Sequence, residues 1–198
     1  MPTFEPTVIE RPSAANRGVK VLKSPHLRAY FDGGCCGGLG SGGFVVYGQD
    51  NEQLGGGSMY YGKLSNTNNE VEMSALLDLL TWVDTHSDEL PATKTLHVIG
   101  DSELMINFMN RAARPSKPSL MRKVVEATTI RHRLGMRVIF SHVLRAGNQV
   151  ADWLARQAAI AKATRSMDKL GVATTPGGSA PVPLEEEADF QGVNRTCL

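Results

Sequence analysis

Three short runs rich in β-forming residues, 27–32, 43–49 and 58–62, follow one another with only Gly-rich or polar turns between them, before any helical period appears. Neighbouring runs of this kind pair antiparallel. Helical periodicity then covers 69–85, followed by a strand over 95–101, helices over 102–111 and 119–134, a strand over 136–143 and an Ala-rich helix over 148–163. The order βββαβααβα predicts an α/β fold: a five-stranded mixed sheet flanked by helices. With 198 residues and 41% hydrophobic positions, the chain can build one domain with its own core. The first 25 residues carry Pro2, Pro6, Pro12 and Pro25 and read as a disordered arm. Residues 165–198 are small and polar and end in an acidic stretch around Glu185, Glu186 and Glu187; they read as a disordered tail. The domain is therefore predicted over 26–164.

No window has the ~18 uncharged apolar residues of a membrane helix, and Glu5, Glu10 and the prolines replace the apolar run of a signal peptide. Three cysteines, two of them adjacent as Cys35 and Cys36, make neither a disulfide framework nor a metal knuckle. An intracellular protein of cytoplasm or nucleus, away from membranes, is the expectation. Gly38-Leu39-Gly40-Ser41-Gly42-Gly43 imitates a dinucleotide-binding fingerprint, but Phe44-Val45-Val46-Tyr47 continues as a strand where that site needs a helix. A wide hairpin turn with several positive φ angles is predicted instead.

The overall charge of +1 hides a division. Residues 31–110 carry eleven acidic side chains against Lys63 and Lys94, whereas 111–145 carry nine Lys or Arg against Glu126 alone. An acidic half beside a basic half suits an enzyme that holds cations with carboxylates and a polyanion with arginines. At about 100° per residue, Glu72 lies within about 80° of Leu76, Leu79, Leu80 and Val83, inside the apolar stripe of its helix, where a carboxylate is costly unless paired or metal-bound. Glu70 points about 160° away and completes a capping box with Thr67. Asp32 and Asp101 each end a strand, and carboxylates at neighbouring strand ends repel unless a cation lies between them. Asp152 falls in the first turn of the last helix, where the helix dipole also favours a carboxylate.

Four blocks together resemble a ribonuclease H of type 1, in the compact form of plant-type and retroelement-derived members. They are Tyr30-Phe31-Asp32-Gly33-Gly34, Thr67-Asn68-Asn69-Glu70-Val71-Glu72, Ile99-Gly100-Asp101-Ser102, and the run from His142 through Asn148 and Asp152 to Ala155. Each block alone is weak; all four in the family's order make a specific match over nearly the whole predicted domain.

The resemblance implies metal-binding catalytic carboxylates at Asp32, Glu72, Asp101 and Asp152, with His142 as a catalytic histidine. Two Mg²⁺ ions would serve, with Mn²⁺ able to substitute, in hydrolysis of the RNA strand of RNA–DNA hybrids to 5′-phosphate and 3′-hydroxyl ends. Hybrid contacts are expected at Gly33, Gly34, Asn68, Asn69, Ser102, Asn148 and Arg145. The long basic handle of some bacterial relatives is missing, so Arg114, Lys117, Arg122 and Lys123 are expected to hold the backbone in its place. Gly34, Gly38 and Glu103 depart from the family pattern at positions bearing on substrate grip. A monomer, or a part of a larger reverse transcriptase assembly, is expected. The competing expectation is a catalytically silent module of the same fold that binds nucleic acid or a partner.

Overall fold

The computed structural model describes residues 26–63, 67–162 and 164–167. The expected arm over 1–25 and the tail from 168 onward lie outside them. Strands β1 (Leu27–Cys36), β2 (Leu39–Tyr47) and β3 (Gln53–Lys63) form the meander. They are followed by α1 (Asn68–Thr85), β4 (Thr95–Gly100), α2 (Glu103–Met109), α3 (Pro118–Arg133), β5 (Arg137–His142) and α4 (Gln149–Ala161). The five expected strands are present in the expected order. A sixth, β6 (Arg165–Met167), pairs antiparallel with β3, so the residues expected to begin the tail belong to the sheet.

The sheet order is β5-β4-β1-β2-β3-β6. β1 runs antiparallel to β2 and parallel to β4, which in turn runs parallel to β5. Alternation along the strands separates two faces. Leu27, Ala29, Phe31, Phe44, Val46, Leu96, Val98, Val138 and Phe140 face α1, α2 and α3 and form the main core with Leu76, Leu79, Leu80 and Val83 of α1. The other face carries α4, through Ala151, Leu154, Ala155 and Ala158.

The Gly-rich run is mostly strand, which corrects the expected wide turn. Only Gly37 and Gly38 take positive φ, 58° and 78°, and they make a two-residue hairpin. Gly42 and Gly43 lie in β2 because a helix crosses each face there. A Cβ on Gly42 would lie 2.9 Å from the Ala75 Cβ of α1, and one on Gly43 would lie 2.5 Å from the Ala155 backbone nitrogen of α4.

Candidate active site

Parallel pairing brings the C-terminal ends of β1 and β4 side by side. Phe31 is in register with Gly100, so Asp32 and Asp101 follow at adjacent positions. By alternation Asp32 points to the α4 side, and its antiparallel partner Gly43 touches the α4 backbone one residue from Asp152. Glu72 approaches from the opposite face, in the first turns of α1. There a Cβ on Gly33 would lie 2.7 Å from the Glu72 Cα. The stripe Leu76, Leu79, Leu80 and Val83 is fully buried, and Glu72 sits half-buried at its rim.

Three of the four carboxylates have a side-chain tether of their own. Ser102 Oγ donates to Glu72 Oε2 at 2.5 Å, so this hydroxyl makes no cap bond to α2. Asn148, 1% exposed, donates from Nδ2 to the Phe31 carbonyl at 2.8 Å and to Asp101 Oδ1 at 2.9 Å. Asp152 accepts from Arg145 at 2.6 Å and from Arg156, one helical turn on, at 2.9 Å. His142 Nε2 donates to the Asp101 carbonyl at 3.2 Å, which leaves Nδ1 as the acceptor nitrogen. With these tethers in place, no group of three or more ligating side chains among the described residues forms a ready ion cage.

The electrostatics reflect crowding of like charge. Burial, then the Asp101 and Asp152 charges, push the Asp32 carboxyl up to about 7, with Arg145 opposing. Burial also raises the Glu72 carboxyl, and its bond from Ser102 offsets part of that rise.

Six of the expected substrate contacts are committed within the protein. Gly33 is the close approach of β1 to α1, Ser102 holds Glu72, and Asn148 locks β1 and Asp101. Lys123 donates to the Glu70 carbonyl at 3.1 Å and to Ser74, pinning α3 on α1, and Arg145 pairs with Asp152. Asn68 Oδ1 accepts from the Cys35 backbone N–H at 3.1 Å and ties α1 to β1. Gly34 faces open space, Asn69 is half-buried, and Arg114 and Arg122 are exposed; Lys117 reaches within 4.0 Å of Glu70.

Glu70 completes the predicted capping box with Thr67. It is also buried at 4% exposure, a role that sequence reasoning missed. A hydrogen bond from Ser119 leads the causes that hold its carboxyl below the ordinary value. Arg156 was missed too, although its spacing from Asp152 is a readable ion-pair signal.

A family profile described as "Reverse transcriptase-like" matches residues 30–158. The ribonuclease H of Phenylobacterium zucineum is 28% identical over 143 residues, covering 68% of this chain and 90% of that protein. Among solved structures, RNase H1 from Halobacterium salinarum is similar at 30% identity and a TM-score of 0.59, over 70% of this chain and 99% of its own. LC11-RNase H1, solved in complex with an RNA/DNA hybrid, gives 27% identity and a TM-score of 0.62 over 69% of this chain and 99% of its own.

Proposed function

The chain belongs to the reverse transcriptase-like family, in its ribonuclease H type 1 branch, and from that premise we propose that it hydrolyses the RNA strand of RNA–DNA hybrids with divalent metal ions. The observation that carries the reading is the placing of a buried Asp32 beside the Asp101 and Asp152 charges, where burial first and that crowding second raise its carboxyl to about 7. A set of acceptor-only oxygens that repel one another fits hard divalent cations. Asp32, Glu72, Asp101 and Asp152 would hold two Mg²⁺ ions, or Mn²⁺ in their place. When bound, such ions supply an activated water and stabilise the leaving oxygen, so no side-chain nucleophile is needed.

The protein's own part is orientation and proton movement. Asn148 fixes the Asp101 carboxylate against β1, and Ser102 fixes Glu72 across the gap between α1 and β4. His142, anchored through Nε2, presents Nδ1 to accept or return a proton. Asn69, Gly34, Arg114 and Arg122 make no side-chain hydrogen bond or ion pair among the described residues and are the substrate-facing residues in this reading.

The test is cleavage of an end-labelled RNA–DNA hybrid beside single-stranded RNA, duplex RNA and duplex DNA, in Mg²⁺ or EDTA, with Asp101→Asn as control. Hybrid-selective cleavage to 5′-phosphate and 3′-hydroxyl ends, lost in EDTA and in the variant, is the expected result. Hybrid binding without any cleavage refutes it and favours a silent module.

A further inference from the structure

The open edge of the sheet carries a second cationic feature, remote from the carboxylates. β5 is the edge strand, and beside it the ends of α2 and α3 leave a cleft of about 700 Å³. Its walls include Arg111, Arg131, His132 and Arg137, and no carboxylate lines it. Arg111, His132 and Arg137 are exposed, and among the described residues none of them has an ion-pair partner. Arg111 holds a left-handed backbone, φ 61°, immediately after α2. Burial and the Arg111 charge both push the Arg131 guanidinium below its ordinary pKa, as expected where positive charges meet without an acid between them.

An added peptide strand does not fit this edge. Two carbonyls of β5 are already taken: Arg131 donates to Val138 at 3.2 Å while also holding the Met109 carbonyl at the end of α2 at 3.1 Å, and Asn110 donates to Phe140 at 3.3 Å. Arg131 also lies over the Phe140 ring, 5.3 Å from its centroid, so it is fixed in place. With the strand edge closed, the unspent groups of the cleft are guanidinium and imidazole donors, which match phosphate oxygens.

We propose that this cleft is a second nucleic-acid contact, in which Arg111 and Arg137 hold backbone phosphates on the flank of the bound hybrid. The proposal rests on the hybrid reading above and adds a subsite to it. Five residue steps of about 3.3 Å put Arg137 about 16 Å from His142 along β5. That is about five base-pair steps at about 3.4 Å each along one strand. The grip therefore falls outside the cut itself and serves affinity, not chemistry.

The experiment compares wild type with the double variant Arg111→Gln, Arg137→Gln. Two hairpin-closed hybrids are used, one extending about four base pairs beyond the cut and one about twelve, bracketing the distance just estimated. Affinity is read in EDTA as a function of salt, and kcat in Mg²⁺ on the short hybrid. Losing two phosphate contacts lowers the slope of log K against log salt by about 2 on the long hybrid and leaves the short one unchanged. The double variant should bind the long hybrid several-fold more weakly and keep kcat on the short hybrid. A wild type that binds and cleaves, with a variant matching it in slope and affinity on both hybrids, overturns this proposal alone. Loss of inorganic polyphosphate binding with hybrid affinity intact also overturns it, in favour of a small-anion site. A wild type that neither binds nor cleaves any hybrid overturns the functional reading and this subsite with it.

Discussion

Gly33→Ala is the sharpest test of how the site is built, because two neighbouring glycines make opposite predictions. A Cβ at Gly33 would meet the Glu72 Cα at 2.7 Å and the Glu72 nitrogen and Val71 carbonyl oxygen at 2.8 Å, all backbone atoms, whereas one at Gly34 meets nothing within 4 Å. Ordinary contact begins near 3.4 Å, so α1 must retreat by about 0.7 Å at the turn that carries Glu72. Overpacking of this kind costs about 1–3 kcal/mol. At roughly 2–4 °C per kcal/mol for a domain near this size, Tm falls by roughly 2–12 °C. A displacement approaching 1 Å at a reacting group costs up to about 10²-fold in rate, so kcat should drop at least about tenfold. Gly34→Ala should leave Tm within about 1 °C, since it adds no contact and no strain. Thermal unfolding together with steady-state cleavage of a hybrid reads both quantities. Wild-type Tm and kcat in Gly33→Ala would refute the close approach of β1 and α1. Equal loss of rate in both variants with unchanged Tm would restore both glycines to the substrate surface.

In metal-free buffer the Asp32 carboxyl keeps its proton up to about 7 in the folded state, against an ordinary 3.8. Stability from this group is therefore greatest below pH 4 and falls as pH rises towards 7. Asp32→Asn should match wild type near pH 3 and exceed it by about 2–4 kcal/mol at pH 8 in urea unfolding; a pH-independent difference would sink the argument from burial and crowding. Asn148→Ala strips the Phe31 carbonyl and Asp101 Oδ1 of their donor. It should cost about 1–3 kcal/mol and lower kcat together, and loss of activity at unchanged Tm would contradict a positioning role. His97 is buried against Ser141 at 2.8 Å, and burial pushes its pKa down to about 4. It stays neutral when folded and charges when unfolded, so stability drops as pH falls from about 6.5 towards 4. His97→Leu should flatten that limb of the profile, and an unaltered slope would assign it to other groups.

The order of elements was legible because each carries its own period, 2 in the strands and 3.6 in the helices, over windows that need no distant partner. The position of Glu72 followed from the same arithmetic, and the structure sets it at the end of the stripe Leu76, Leu79, Leu80 and Val83. What sequence reasoning misread depends on contacts far along the chain. The glycines of β2 looked like a loop because their need for small residues is set by Ala75 and by the α4 backbone at Ala151 and Ala155. β6 is three residues long, too short for a periodic signal, and it pairs with a strand about a hundred residues earlier. The burial of Glu70 rests on Ser119, which lies 49 positions away. Asn148 was placed on the substrate by the family resemblance and Lys123 by the basic run that replaces the missing handle, and each instead bonds a backbone carbonyl far along the chain.

That last misreading shows how the fold sustains its acidic end. Asp32, Asp101 and Asp152 come from three separate parts of the chain, and the Asp101 and Asp152 charges add to the burial that raises the Asp32 carboxyl where β1, β4 and α4 meet. The structure answers with individual tethers. Asn148 at the N-cap of α4 bonds β1 and Asp101 together, Arg145 and Arg156 neutralise Asp152, and Ser102 bridges to Glu72 from the opposite face. Each of these tethers is specific to one carboxylate, and they hold the side chains short of a ready ion cage. Ser102, Asn148 and Arg145, which the resemblance placed on the substrate, are thus the residues that hold Glu72, Asp101 and Asp152 in position.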